Sequence, residues 1–401
     1  MKLTMYIGQV NHGIINEHDH KVACFLQVYS KHSDKLLNET PESAWQIDET
    51  CRERLPAPWN EIVFHHILAC ISVRDQDFLK AYSEQTETVS IFQREFANLT
   101  NWPLETFYLL NGDLRRLAVQ ADKQLQQNGE KPSKLEDCAR MLNKSFTLCA
   151  TDRSPQNVSK KWGTYNIVSI LFRTYFKLKS HNLCKNILRA VKAADLPELD
   201  QFPMSHQVTM RYYTGVLSFF NEDFKKAEPD LQFAFDHTPK RFHNNRRLIL
   251  HYLIPTKLLH GSLPSARHLE EFPELSTLYQ PLVTAIKTGN VKQFDEALVS
   301  GGTRLIALGT YLTVEQSRGV AVRTLFKKVY VYTSMDRSNK LEISLFKTAL
   351  QFVGVTVDED EVECMLANMI HKGYIRGYIS HEKRVLVLSQ KDPFPGLELQ
   401  L

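Results

Sequence analysis

The sequence predicts an all-α fold with a small α+β end, in which a right-handed helical solenoid is capped by a C-terminal winged helix. Three observations predict this fold class. Apolar residues recur with a helical period from about residue 58 to 353, no long alternating strand pattern precedes residue 340, and two short β-type runs follow near the end. The chain has 401 residues, of which 43% are hydrophobic, so it is long enough for one large core or several modest ones.

The first clear helix of the array carries its apolar positions on one stripe. Residues spaced i, i+3, i+4, i+7 and i+8 share a helix face. This spacing holds for Ile62, His65, His66, Ala69 and Cys70. Similar segments recur along the chain, and the pattern predicts helices that each bury one face against a neighbour.

A repeated helix pair predicts that these helices stack as a TPR/HEAT-like solenoid. In the stretch 212–239, the small Gly215 lets two helices cross closely and Pro239 stops the second helix. The inward stripe of that second helix consists of Phe224, Ala227, Leu231 and Ala234. Degenerate copies occupy 175–191 and 282–298. Such pairs cannot bury their apolar faces alone, so they stack into a right-handed solenoid.

The chain changes character in its last part. A helical stripe at 322–330 is followed by a short extended run at 340–343. Ser344 is suited to cap the next helix, which Gly354 ends. This order of helix, strand and helix predicts the first half of a winged helix.

The second half of that domain has its own signals. Asp358 and Glu361 form a capping box in front of another helix, which ends at Gly373. Two β-type runs, 374–379 and 385–389, follow and are joined by the charged turn SHEKR. A helix followed by a hairpin completes a winged helix.

These patterns divide the chain into four segments. The predicted segments are an N-terminal part of uncertain fold at 1–57, a helical solenoid at 58–317, a winged helix at 318–391 and a C-terminal tail at 392–401.

The sequence lacks the motifs of the common enzyme classes. No P-loop, GxGxxG, GxSxG, HExxH or kinase signature occurs. The seven cysteines form no CxxC pair, which predicts a reducing compartment and neither a disulfide framework nor a zinc module. His65 and His66 are adjacent on a helix, so their imidazoles point apart and do not form a metal pair. We expect no catalytic, cofactor or metal site, no small-molecule substrate and no membrane contact.

Charge is distributed unevenly along the chain. Residues 140–260 contain nineteen Lys and Arg against nine Asp and Glu, a local excess of +10 on a chain of net charge +4. Such a basic region indicates an acidic partner, either a nucleic acid or an acidic peptide, although an ordinary solvated helix face has the same composition.

The predicted winged helix favours nucleic-acid binding through phosphates rather than through bases. The helix that usually reads bases begins DEDEVEC, and its carboxylates would repel phosphates. Cations around it are suited to hold phosphate without reading sequence. The candidates are Arg323, Lys327, Lys328, Lys372, Arg376, Lys383 and Arg384. The alternative is a solvated rim without a ligand.

A second basic group lies in the solenoid and is a candidate site for an acidic protein partner. Its members are Lys225, Lys226, Lys240, Arg241, Arg246 and Arg247. Cations at a helix end that complement the helix dipole would explain Lys240 and Arg241 without a partner. That explanation suits Arg246 and Arg247 poorly, because a helix is predicted to begin there.

A solenoid that closes directly on a winged helix resembles the PCI-domain proteins of the proteasome lid, the signalosome and an initiation factor. The fragments AIKTGNVKQFDEAL and DEDEVECMLANMIHKGYIRGYIS resemble the entry and the second winged-helix half of that domain. Over about 58–401 the chain is similar, more specifically, to PCI-domain subunits of the nuclear transcription-and-mRNA-export complex. The fragments that carry this likeness include SKKWGTYNIVSILFRTYFKL, LCKNILRAV, EDFKKAEPDLQFAFDH, RTLFKKVY, GYIRGYISHEKRVLVLS and KDPFP.

This resemblance implies a non-enzymatic scaffold subunit in the nucleus, associated with nuclear pores, and it is compatible with a cytoplasmic fraction. It implies a GANP/Sac3-type PCI scaffold protein and a small acidic protein shared with the proteasome lid as partners, with RNA or DNA bound without sequence preference. The alternative is a PCI subunit of a lid-like or signalosome-like assembly that has no nucleic-acid role.

Overall fold

The computed structural model describes residues 2–30, 33, 43–333 and 339–397, including all their side chains except those of 266–268. The chain forms two compact units, Met1–Met210 and Arg211–Leu401. The predicted class, an all-α chain with a small α+β end, is confirmed in these described residues.

The first unit is a run of helices in which neighbours along the chain pack against each other. Its helices are α1 (Leu3–Ile15), α2 (Asp19–Phe25), α3 (Ala44–Arg54), α4 (Trp59–Arg74), α5 (Phe78–Asn98), α6 (Leu104–Gln127), α7 (Lys134–Ala150), α8 (Thr164–Lys177) and α9 (His181–Ala193). Short 3₁₀ turns occupy Gln156–Val158, Lys160–Gly163 and Leu199–Gln201. Helix α10 (Met204–Phe220) contains the boundary between the units.

The described part of the segment before residue 58, whose fold the sequence left open, is mainly helical and belongs to the first unit. Tyr6, Ile7 and Val10 on α1 are buried. Asp19 on α2 accepts hydrogen bonds from the amides of Glu105 and Thr106 at 2.5 and 2.9 Å, so it caps α6. The N-terminal helices are therefore joined to the array by packing and by a helix cap.

The second unit continues with helices and ends in a small sheet. Its helices are α11 (Phe224–Asp236), α12 (His243–Leu258), α13 (Ala266–Glu271), α14 (Pro273–Thr288), α15 (Val291–Leu308), α16 (Tyr311–Gln316), α17 (Arg318–Thr333), α18 (Ile343–Phe352) and α19 (Glu359–His371). Its strands are β1 (Lys340–Glu342), β2 (Gly377–Ser380) and β3 (Val385–Leu388). They form one antiparallel sheet in the order β1-β3-β2, with Leu341 opposite Leu386 and Tyr378 opposite Val387.

The helix crossing predicted at Gly215 is present. A Cβ added to Gly215 would lie 2.8 Å from Cγ of Leu231, closer than side chains tolerate. Leu231 is fully buried on α11. A larger residue at position 215 would therefore push the two helices apart, which is the reason for a glycine there.

The winged helix packs around one apolar core. Helix α17 contacts α14 and α15 on one side and α18 on the other. Phe326, Phe346 and Leu366 are fully buried in this core. Phe394, in the predicted tail, is 6% exposed and belongs to the same core, so the chain after the hairpin is part of the packed domain. The predicted boundary at 317/318 remains a prediction.

The predicted helix ends are present with one exception. Gly354 and Gly373 have φ values of +80° and +68°, the left-handed conformation in which glycine ends a helix at low cost. Ser344 is not the cap of α18. That helix begins at Ile343, with Glu342 at the N-cap position, because the chain turns into the helix directly from β1.

None of the helices in the described ranges is long and apolar enough to cross a bilayer.

The capping box of α19 generates a stability prediction. Asp358 accepts the Glu361 amide at 2.8 Å, and the Glu361 carboxylate accepts the Asp358 amide at 3.1 Å. Asp358→Ala should cost about 0.5–2 kcal/mol of helix stability. Native-state hydrogen exchange should show faster exchange of the first amides of α19. Glu382→Ala, in the exposed turn between β2 and β3, is the control; unchanged exchange in Asp358→Ala would contradict the cap.

Candidate nucleic-acid and partner-binding surfaces

Arg323 on α17 is buried and serves the fold. Its side chain is 9% exposed. Nε donates to the Tyr374 carbonyl at 3.1 Å, Nη2 donates to the Pro395 carbonyl, and the guanidinium lies 5.8 Å from the Phe394 ring centre. Burial lowers the pKa of Arg323, but a guanidinium remains protonated in proteins. Arg323 therefore holds the segment after the hairpin, and its guanidinium is largely buried rather than exposed on the outer surface of the winged helix.

Arg384, in the wing, is engaged with the acidic start of α19. Its Nη1 lies 2.6 Å from Oδ1 of Asp360 and 3.8 Å from Oε2 of Glu359. The hydrogen bond to Asp360 and its charge raise the pKa of Arg384. Nδ1 of His381 lies 2.8 Å from Oε1 of Glu363. Three of the carboxylates that were predicted to repel phosphate, Glu359, Asp360 and Glu363, therefore face the wing of their own domain, where they pair with Arg384 and His381.

Two more of the predicted cations have partners within the second unit. Arg376 pairs with Asp392 at 3.1 Å. Nζ of Lys328 donates to the Thr288 carbonyl at 2.7 Å, where it satisfies the C-terminal end of α14. Both side chains lie at the surface, but contact with phosphate would have to replace these interactions.

Three of the predicted cations are exposed and form no ion pair with any residue that the structure describes. They are Lys327 on α17, Lys372 at the end of α19 and Lys383 in the wing. Their ammonium groups are free to bind phosphate. The three lysines come from three different elements. They are therefore spread around the edge of the winged helix and do not line a groove along one DNA-reading helix.

One residue of the predicted partner site on the solenoid, Arg246, is buried and is not available to a partner. Arg246 is 8% exposed and donates to the carbonyls of Phe235 and Thr238 at 3.2 and 3.0 Å. Its guanidinium also lies 4.1 Å from the Phe235 ring centre. Arg246 therefore completes the end of α11, the role that the sequence suggested for Lys240 and Arg241. A residue in the first turn of α12 reaches back to the preceding helix because the connection between them is short.

The other members of this group differ in their availability. Arg247 pairs with Glu274 at 2.8 Å, and Lys226 pairs with Asp223 at 2.5 Å. Arg241 is exposed and lies 4.9 Å from the ring centre of its neighbour Phe242. Lys225 and Lys240 are exposed, without an ion pair in the described part of the chain. Together with Arg241, they are the cations that an acidic partner would meet.

Within the described residues, no three His, Cys, Asp or Glu side chains lie close enough to hold a metal ion. His65 and His66 point to different neighbours. Nδ1 of His65 lies 2.7 Å from Glu84, while Nε2 of His66 lies 3.5 Å from Sγ of Cys70.

Lys287, at the end of α14, was not among the residues predicted from the sequence. It is exposed and lines a cavity that Lys327 and Arg323 also line. A single lysine near a helix end carries no sequence signal, because its proximity to α17 arises only from the packing of α14 against that helix.

Comparison with known proteins agrees with this architecture. Residues 302–390 match the family model of the PCI domain. PCI domain-containing protein 2 of Xenopus laevis is 37% identical over 356 residues, which cover 87% of this chain and 88% of that protein. The chain belongs to the family of PCI domain-containing protein 2. Other members are the CSN12 homologue of Schizosaccharomyces pombe, 35% identical over 98% of both chains, and the PCI domain-containing protein 2 homologue of Dictyostelium discoideum, 32% identical over 99% of this chain and 92% of its own.

Membership of this PCI family confirms the resemblance found in the sequence. The matched region begins within α15, runs through the winged helix and ends just after β3. Likeness to the relatives extends into the N-terminal helices as well, since the match to the Schizosaccharomyces pombe protein covers 98% of the chain.

The position of Arg323 generates a second prediction. Arg323→Met removes the donors to the Tyr374 and Pro395 carbonyls, and a buried polar group left without a partner costs about 1–3 kcal/mol. We expect a lower midpoint of thermal unfolding and faster proteolytic cleavage after residue 391. Arg376→Met, which breaks only an exposed ion pair worth about 0–1 kcal/mol, is the matched control. Equal protease resistance of the two variants would show that Arg323 does not hold this segment.

Proposed function

We propose that this protein is a non-enzymatic scaffold subunit of the nuclear complex that couples transcription to mRNA export at nuclear pores. Its membership of the PCI domain-containing protein 2 family supports this role, since PCI proteins are typical subunits of multi-protein assemblies. The mechanism is assembly: helical faces and the winged helix bind partner proteins, including a GANP/Sac3-type PCI scaffold, and the complex holds RNA or DNA.

The observation that carries the nucleic-acid part is a set of exposed lysines around the winged helix that form no ion pair among the described residues. Lys327, Lys372 and Lys383 offer ammonium groups on three elements, while the helix that would read bases begins with carboxylates. Ammonium groups bind phosphate as point charges and do not distinguish bases. Binding should therefore depend strongly on salt and little on sequence.

Reversing these charges tests the nucleic-acid role. The triple variant Lys327→Glu, Lys372→Glu and Lys383→Glu should bind mixed-sequence RNA and DNA more weakly. Each lost phosphate contact should lower the slope of log affinity against log salt by about 0.7 for single strands and 0.9 for duplexes. Fluorescence anisotropy at several salt concentrations measures both quantities, with the protein alone and bound to its scaffold partner.

The control for this experiment lies in the first unit. Lys123, Lys131 and Lys185 are also exposed and without an ion pair in the described residues, so their reversal to Glu changes the net charge equally. If the two triple variants bind equally, the winged helix is not the binding surface. If neither loses affinity, the protein has no nucleic-acid role of this kind.

The solenoid cations support a second part of the proposal, the small acidic protein shared with the proteasome lid. Lys225 is exposed in the first turn of α11, and Lys240 and Arg241 are exposed in the connection between α11 and α12. Reversing all three to Glu should weaken binding of that protein in a salt-dependent manner, because like charges replace attractive ones. Isothermal titration at two salt concentrations measures this, with the Lys123, Lys131 and Lys185 variant as control. Equal affinity of both variants would place the acidic partner elsewhere.

A second candidate function is a subunit of a lid-like or signalosome-like assembly without a nucleic-acid role. The name CSN12 homologue, carried by several relatives, favours it. Purification of the tagged protein from nuclear extract, with partners identified by mass spectrometry, separates the two. Recovery of a GANP/Sac3-type PCI protein supports the export complex, whereas recovery of lid or signalosome subunits alone supports the alternative.

A further inference from the structure

A half-enclosed cavity of about 320 Å³ lies in the second unit. It is bordered by the turn after α12, the end of α14, one face of α17 and the segment 394–397. Four of its lining side chains are basic or can become so: His260, Lys287, Arg323 and Lys327. None of the described residues that line it is acidic. The cavity is therefore a concave, positively charged site within the PCI region and the helices before it.

The buried guanidinium in its wall has no counter-ion among the residues that the structure describes. Arg323 is 9% exposed, and its two hydrogen bonds, both to carbonyls, use two of its five N–H groups. The nearby Asp392 pairs with Arg376 instead. A buried charge is costly unless an opposite charge compensates it. An anion in the cavity would supply that compensation.

The two lysines at the cavity, like Arg323, indicate a negatively charged ligand. Lys287 and Lys327 are exposed, and neither forms an ion pair in the described part of the chain. Lys328 differs, because its ammonium group already serves the Thr288 carbonyl. Two ammonium groups at one cavity repel each other, and an anion between them turns that repulsion into attraction.

His260 adds an unused polar group. Its side chain is 15% exposed, and its Nδ1 is buried without a hydrogen-bond partner in the described structure. Its Nε2 lies 3.5 Å from the Glu228 carboxylate. A histidine in this position can support an anion bound by the lysines.

We propose that this cavity anchors a backbone phosphate of single-stranded RNA or DNA. Phosphate fits the cations present, since both lysine and arginine bind it well. A flexible single strand can direct one phosphate into a concave site, whereas the phosphates of a duplex lie on a stiff convex surface. The inference rests on the proposed nucleic-acid function and deepens it: the anchor is the cavity at α14 and α17, and the wing and the end of α19 add weaker contacts.

The test compares two variants of equal charge in the full-length protein. Lys287→Gln with Lys327→Gln removes both lysines from the cavity, while Lys372→Gln with Lys383→Gln removes two exposed lysines outside it. Affinity for a labelled mixed-sequence single strand is measured by anisotropy against salt concentration. The cavity variant should lose about tenfold in affinity and about 1.4 from the log-log salt slope, which corresponds to two phosphate contacts. The outer variant should lose less than about threefold.

The same binding measurement is repeated with a duplex of the same sequence. The two variants should bind it with similar affinity, because a duplex does not enter the cavity. If the outer variant loses as much single-strand affinity as the cavity variant, the cavity proposal is wrong while the nucleic-acid function stands. If the unaltered protein binds neither strand nor duplex, both proposals fail. All four substituted lysines are exposed, and circular dichroism verifies the fold of each variant.

Discussion

The structure depends above all on hydrogen-bond partners for the backbone groups at the ends of its helices. Each α-helix leaves backbone amides at its start and carbonyls at its end without partners. In this chain, charged side chains from other elements often satisfy them. Asp122 on α6 accepts three amides at the start of α7, from Ser133, Lys134 and Leu135, at 2.8–3.0 Å. Nζ of Lys160 donates to the Ala97 and Leu99 carbonyls at the end of α5. These contacts add to apolar packing in fixing the spacing of neighbouring helices.

The need for these hydrogen bonds also decides which cationic side chains stay available to bind a ligand. Arg246 and Lys328 complete the ends of α11 and α14, and Arg323 holds the segment after the wing. Each of these cations contributes to the formal charge of the chain but serves the fold. The exposed lysines without such a role, above all Lys287 and Lys327 at one cavity, are those that a phosphate can bind. Counting basic residues along the sequence therefore overstates the basic surface.

The acidic start of α19 illustrates how one feature can serve two purposes. Its carboxylates cap the helix and hold the wing through Arg384 and His381. A helix stabilised in this way is poorly suited to enter a DNA groove, because its charged end is committed to its own domain. A winged helix of this kind is suited to protein assembly, in agreement with membership of a PCI family.

The sequence by itself determined most of the elements after residue 58 and several of their ends. Helical periodicity, Gly215 at a crossing, the capping box of Asp358 and the two glycine stops are local signals, because each depends on residues within a turn or two. The order of those elements was enough to predict the winged helix and the PCI resemblance. Tertiary structure alone decided that residues before 58 join the helical array and that Phe394 joins the core. It also decided which cations are buried: Arg323 reaches carbonyls 51 and 72 positions away in the chain, and no local pattern encodes such a distance.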